Sequence, residues 1–313
     1  MLKGIFIALV IAGILFFSQI FLNSQQFSFN SILSPVAESE EDRAPIYPTW
    51  SPSAPQVGGV FDSRLVTTAQ AVLSYDLTSE KVVFSKNADI KLPMASLTKI
   101  MTAFLALEEE TTKKYIVSKS AAATGENAMG LTEGEVLTLE ELLYGLMLPS
   151  GNDAAEVIAE GSRYGRDGFV KEMNKRAKQI GMKNTNFTNP SGLEGDGNQY
   201  STTLDLLKLT KLAMENPTFR KVVGTYEIEL PYSANHKYFY LYNDTNLLTS
   251  YPGVKGVKTG FTWEAGLCLV TYLEHNDHRI IAVLLNSQNR RQEMKDLLDY
   301  TLTELGETPP EHQ

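Results

Sequence analysis

The sequence predicts an α+β fold, in which an antiparallel sheet formed from both chain ends is flanked by helices and a helical subdomain is inserted between its halves. Three observations lead to it. Two β-rich runs, Ala69 to Leu77 and Lys81 to Lys86, flank the turn-like Thr78-Ser79-Glu80 near the start of the chain. A second pair, Gly266 to Leu273 and Arg279 to Asn286, flanks Asn276-Asp277 near its end. Between the pairs, apolar residues recur at helical spacing, and there is no internal repeat.

The elements follow in order. Pro93 supplies a helix start, after which Leu97, Ile100, Met101, Phe104, Leu105 and Leu107 lie at helical spacing up to the acidic Glu108 to Glu110. The capping box Thr138-Leu139-Glu140-Glu141 opens another helix, which buries Leu142, Leu143, Leu146 and Met147 before Pro149 interrupts it. Helical pattern resumes from Asp153 to Glu160. It returns over about 167–180, closed by Gly181, and about 203–215, closed by Asn216-Pro217. The last helix is expected over roughly 291–305.

The amino end reads differently. Lys3 precedes an apolar run from Ile5 to Leu22, broken only by Gly13, Ser18 and Gln19, which is close to the roughly 20 residues a spanning helix needs. No small-x-small cleavage site follows Leu22 directly, and there is no lipobox cysteine. Residues 1–22 are therefore expected to be a signal-anchor transmembrane helix with its start in the cytoplasm; a cleaved signal peptide and a secreted protein are the alternative. Either way the remainder is exported. Residues 23–62, rich in Ser, Gln, Pro and acidic side chains, read as a disordered linker. One globular domain over 63–305 and a polar tail over 306–313 complete the division.

Composition narrows the function. A chain of 313 residues with 43% hydrophobic and 21% charged residues can bury a sizeable core. A net charge of -9 without a long basic run argues against nucleic acid as a partner, and against an electrostatic grip on anionic lipid. The single cysteine, Cys268, cannot form an intramolecular disulfide, and beside Leu267, Leu269 and Val270 it reads as a small core residue. His236, His275, His278 and His312 have neither metal-ligand spacing nor a nucleophile-elbow partner, so no metal or cofactor is expected. A hydroxyl nucleophile would then need another base, and a desolvated lysine is the usual substitute.

Ser96-Leu97-Thr98-Lys99 offers that pair, because residues three apart on a helix share a face with Cβ atoms roughly 5–6 Å apart. A position at a helix start also favours a developing alkoxide and leaves the Ser96 N–H free for an oxyanion. By residue frequencies an S-x-x-K turns up by chance about once in a chain of this length, so the pair alone is weak. Ser150-Gly151-Asn152 follows the break at Pro149, where side chains can project into a cleft. The same S-x-N pattern recurs at Ser28, Ser85, Ser233 and Ser287, where it reads as turn polarity. Lys258-Thr259-Gly260 is more specific, expected by chance in about one such chain in fifteen. On a strand edge it presents a cation and a donor to a carboxylate, and its glycine lets a substrate backbone approach.

In this order and at these separations, the three motifs resemble the serine penicillin-binding-protein and β-lactamase superfamily. Longer stretches are similar to its D-alanyl-D-alanine carboxypeptidases: Pro93 to Thr102, Leu148 to Ala155, Asn189-Pro190-Ser191-Gly192-Leu193, and Gly253 to Thr262. The likeness runs over about 70–300. It implies a β-lactamase/D,D-peptidase-like fold and a serine carboxypeptidase that removes the terminal D-alanine from peptidoglycan stem peptides through an acyl-enzyme on Ser96, with β-lactams as inhibitors.

In such an enzyme Lys99 is the base, made neutral by burial and by Lys258. Ser150 relays the proton to the leaving amine, and Asn152 bonds the substrate backbone. Lys258 and Thr259 hold the carboxylate. Gly260 leads to Phe261, whose N–H is the second oxyanion donor. Arg290, or Arg291 beside it, stands near the carboxylate. Many enzymes of this type continue into a small β-domain and an amphipathic membrane helix; here a polar tail follows Leu305, so anchoring is expected from residues 1–22. No E-x-x-L-N segment of the β-lactamase kind lies between Asn152 and Lys258. A D,D-endopeptidase and a non-catalytic β-lactam-binding or wall-binding receptor are the rival readings. Oligomeric state is not legible in the sequence.

Overall fold

The computed structural model describes residues 65–312 apart from 196 and 246. The apolar run over 1–22 and the linker over 23–62 lie outside the described residues, and among the described residues no helix is long and apolar enough to cross a membrane.

The chain opens on an antiparallel hairpin, β1 (Ala71–Asp76) and β2 (Lys81–Lys86). A 3-10 turn over Ala95–Thr98 runs into α1 (Lys99–Ala106). The middle of the chain contains β3 (Lys114–Ile116), α2 (Lys119–Ala122), β4 (Val136–Thr138), α3 (Leu139–Met147), α4 (Asn152–Gly161), α5 (Gly165–Gln179), α6 (Thr203–Ala213) and α7 (Pro217–Val223). Next come the hairpin β5 (Glu227–Leu230) and β6 (Phe239–Tyr242), and the short α8 (Leu247–Ser250). The chain then returns to the main sheet through β7 (Val254–Thr262), β8 (Gly266–His275) and β9 (His278–Ser287), and ends in α9 (Arg290–Glu304).

The main sheet has the order β2-β1-β9-β8-β7 and is antiparallel throughout. Its centre joins the two chain ends, β1 against β9 with Leu73 opposite Val283. This is the arrangement the sequence predicts. Both faces are covered, which is why the strands read as unbroken apolar runs rather than alternating ones. Along β9, Ile281, Val283 and Leu285 enter the large core shared with the helical half, whereas Ile280, Ala282 and Leu284 pack under Met294, Leu297 and Leu298 of α9. Each such side chain withdrawn from water stabilises the fold by about 1.5–3 kcal/mol before entropy is counted.

Local chemistry fixes the elements that carry the site. The capping box forms as expected: Thr138 N donates to Glu141 Oε2 at 2.7 Å and Glu141 N to Thr138 Oγ at 3.3 Å, which starts α3. Pro149 separates α3 from α4, and between them Ser150 adopts a left-handed φ of 64°. In α4, the Asp153 carboxylate accepts from the backbone N–H groups of Met129, Gly130 and Leu131 at 2.8–2.9 Å, tying the 125–131 segment to the helix start.

Three features depart from the expected pattern. The helix after Pro93 begins with a 3-10 turn whose first residue, Ala95, has a φ of 49°. Asn216-Pro217 closes α6 but also opens α7, with Asn216 Oδ1 accepting from Thr218 N and Phe219 N and Pro217 at the first turn. The two small sheets, β3–β4 and β5–β6, carry no sequence signal strong enough to mark them. The last residues pack back on the body: His312 Nε2 lies 2.9 Å from Asp299 Oδ2, and its ring stacks on Tyr251.

Candidate active site

Ser96 sits in the 3-10 turn and Lys99 on the first residue of α1, so both point from one helix end into the space below β7. Lys99 Nζ is 3.0 Å from Ser96 Oγ. It also donates to Asn152 Oδ1 and to the Ser191 carbonyl, each at 2.7 Å. The orientation of the Asn152 amide follows from its other end, where Nδ2 donates to Gly125 O at 3.0 Å, so only the oxygen can face the lysine.

Lys99 is completely buried. Burial drives its pKa well below the usual lysine value, and the nearby Lys258 ammonium pushes the same way, while Asp153 and Glu126 oppose. A neutral amine has two N–H donors and one lone pair. Asn152 Oδ1 and Ser191 O can accept only, so they take the two hydrogens and leave the lone pair facing the Ser96 hydroxyl. The arrangement can abstract a proton from that hydroxyl without moving a side chain.

β7 is the edge strand of the sheet and lies directly over the serine. A β-carbon on Gly260 would stand 3.0 Å from Met94 O and 3.3 Å from Ser96 N, so any side chain here would push the strand and the serine turn a few tenths of an ångström apart. The Ser96 and Phe261 amides are thereby brought into one neighbourhood. Lys258 is buried, and its Nζ has no hydrogen-bond partner among the described residues; the buried Ser150 Oγ has none among them either. Burial lowers the Lys258 pKa to about 7, with Arg290 adding to the shift and Asp244 opposing it. Arg290 stands on the first residue of α9, where Nη1 donates to Gly260 O at 2.6 Å and braces the edge strand. A cavity of about 60 Å³ beside it is lined by Asp244, Leu247, Thr259, Leu269, Arg290 and Arg291. It therefore brings both candidate arginines next to Thr259.

Of the nine residues singled out by sequence, Ser96, Lys99 and Asn152 are joined by hydrogen bonds; Lys258, Thr259, Gly260 and Phe261 lie on β7, whose Gly260 packs on the serine turn and accepts from Arg290; and Ser150 lies in the break between α3 and α4. Asn152 differs from expectation in that its side chain holds Lys99 and Gly125. The sequence reading did not anticipate Ser191, whose carbonyl supplies the third bond to the lysine. Its only signal was the N-P-S-G-L stretch: Asn189 Oδ1 accepts from Ser191 N and Gly192 N, and Gly192 at φ 88° leaves room for the Ala95 carbonyl. The histidines stand elsewhere, His236 near Glu141, His278 against Asp76 and His312 against Asp299. Cys268 is buried, with its thiol pKa pushed up to about 11 by burial, as a core residue's should be.

The family described as D-alanyl-D-alanine carboxypeptidase, peptidase S11, matches residues 61–289. The D-alanyl-D-alanine carboxypeptidase DacF of Bacillus subtilis (strain 168) is 36% identical over 272 residues, covering 84% of this chain and 69% of that protein. A D-alanyl-D-alanine endopeptidase of Escherichia coli (strain K12) is 30% identical over 249 residues, covering 75% and 78%. The crystal structure of the Streptomyces K15 DD-transpeptidase superposes with a TM-score of 0.72 at 31% identity, covering 76% of this chain and 98% of that one.

Proposed function

The chain belongs to the D-alanyl-D-alanine carboxypeptidase family, and from that premise we propose that Ser96 is the nucleophile of a serine-type D-Ala-D-Ala carboxypeptidase acting on peptidoglycan stem peptides. The observation that carries the assignment is the bonding of Lys99, a buried amine whose two hydrogens are committed to acceptors and whose remaining position faces the Ser96 hydroxyl.

In this reading neutral Lys99 takes the Ser96 proton as Oγ bonds to the carbonyl carbon of the penultimate D-alanine. The carbonyl electrons move onto oxygen, where the Ser96 and Phe261 amides stabilise the charge. Collapse breaks the C–N bond, and the proton passes from Lys99 through Ser150 to the departing D-alanine amine. An ester on Ser96 remains, and water, with Lys99 again as base, hydrolyses it. Lys258 and Thr259 hold the terminal carboxylate, with Arg290 fixing the strand that carries them; an unpartnered buried ammonium is suited to receive an anion.

Attachment to the cell membrane through residues 1–22, with the catalytic domain outside the cytoplasm, is part of the same proposal. It is supported by the apolar run from Ile5 to Leu22 and by a substrate in the wall. Relatives named endopeptidase motivate a second reading, cleavage of cross-links.

Mass spectrometry of muropeptides ending in D-Ala-D-Ala, incubated with the protein and with Ser96→Ala, separates these readings. Loss of one alanine with the wild type alone is the expected result. Cleavage of cross-linked dimers only would replace it with the endopeptidase, and a stable β-lactam adduct on Ser96 without turnover would replace both with a receptor.

A further inference from the structure

The β5–β6 hairpin turns Phe239 and Leu241 into the core, whereas Tyr238, Tyr240 and Tyr242 on the alternate positions are 48%, 52% and 57% exposed. Isolated exposed aromatics need no explanation, but three rings at alternate positions, Tyr240 and Tyr242 on β6 and Tyr238 just before it, roughly 7 Å apart along the chain, present an aromatic side of the hairpin. Opposite them on β5 are exposed carboxylates: Glu229 pairs with Tyr240 and Glu227 with Tyr242, and the Tyr240 hydroxyl donates to Glu227.

We propose that this face binds the glycan strand of peptidoglycan, an uncharged polymer of amino sugars, and so holds the polymer whose peptide is being trimmed. Aromatic faces pack against the C–H faces of sugar rings, while phenols and carboxylates exchange hydrogen bonds with their hydroxyl and amide groups. The acidic residues disfavour nucleic acid and anionic lipid, and the absence of aliphatic side chains among the outward residues of β6 disfavours an apolar protein partner. The platform also leads to the cleft. Two residues beyond Tyr242, Asp244 N donates to Leu148 O, just before Ser150, and Asp244 lines the cavity shared with Thr259 and Arg290. A sugar strand lying along β6 would hang its peptide toward Ser96. The choice of glycan rests on the wall substrate proposed above.

The test is co-sedimentation of the full chain with insoluble chitin, an uncharged β-1,4 polymer of N-acetylglucosamine, comparing the wild type with a triple variant, Tyr238→Ser, Tyr240→Ser and Tyr242→Ser. Binding should fall at least tenfold while hydrolysis of a small soluble acyl-D-Ala-D-Ala peptide stays within twofold. In the wild type, soluble oligosaccharide should protect Tyr240 from nitration, a readout that needs no variant to fold. Equal glycan binding by both proteins, no binding by the wild type, absence of protection, or binding only to lipid vesicles would each overturn the proposal. Failure to hydrolyse the small peptide in the wild type would instead overturn the catalytic reading.

Discussion

Lys99 Nζ stands 3.0 Å from Ser96 Oγ, and its two other bonds go to Asn152 Oδ1 and Ser191 O, oxygens that can only accept. The lysine is therefore fixed by residues from two different segments, the start of α4 and the 189–193 loop, as well as by its own helix. Its burial disfavours the charged form, and these acceptors orient the neutral one.

Replacing Lys99 by arginine puts a permanent cation at this position and supplies no lone pair, because guanidinium stays protonated. Acylation of Ser96 by a fluorescent β-lactam should slow by about 10²–10⁴-fold, the usual contribution of a positioned base. Stopped-flow acylation rates check this, and a loss under threefold would show that another group takes the proton.

The carboxylate of a substrate requires Lys258 protonated, and its pKa in the free protein is about 7. The charged fraction falls as pH rises through that value, so kcat/KM should have an alkaline limb centred near 7. Arg290 contributes to lowering that pKa; in Arg290→Gln the limb should move to higher pH, while KM rises because the bond to Gly260 O is lost. A pH profile of kcat/KM for both proteins, with a neutral ester substrate as control, measures the shift. An unchanged limb would detach it from Lys258.

A β-carbon at Gly192 would fall 2.1 Å from the Ala95 carbonyl, at φ 88°, whereas at Gly181, φ 79°, nothing lies within 4 Å. Gly192→Ala should therefore destabilise by about 1–3 kcal/mol beyond Gly181→Ala, the range for overpacking, and should displace the serine turn. Thermal unfolding of the two variants gives the difference, and acylation rates should fall only for Gly192→Ala. Matching behaviour would mean that the loop yields.

Asp153 accepts three backbone N–H bonds from residues 129–131 with one carboxylate, buried at the start of α4. Asp153→Ala should cost on the order of 3 kcal/mol, since buried donors lose a charged acceptor. The 125–131 segment, and with it the Asn152 to Gly125 bond, should lose protection in hydrogen exchange. Unfolding curves and exchange of the Met129 to Leu131 amides test this together.

The sequence by itself determined which residue types could meet. Continuous apolar runs at the two ends set the sheet, the capping box set the start of α3, and Pro149 set the break that holds Ser150-Gly151-Asn152. These are local effects of side-chain packing and backbone hydrogen bonding, so they are written in neighbouring residues. The tertiary structure decided what depends on distant segments. The pairing of β1 with β9 crosses most of the chain, the Ser191 carbonyl reaches Lys99 from 92 positions away, and Arg290 braces Gly260 across 30. A backbone carbonyl carries no sequence identity, and the outward tyrosines of β6 became a platform only when β5 and the core fixed which face of the strand met water.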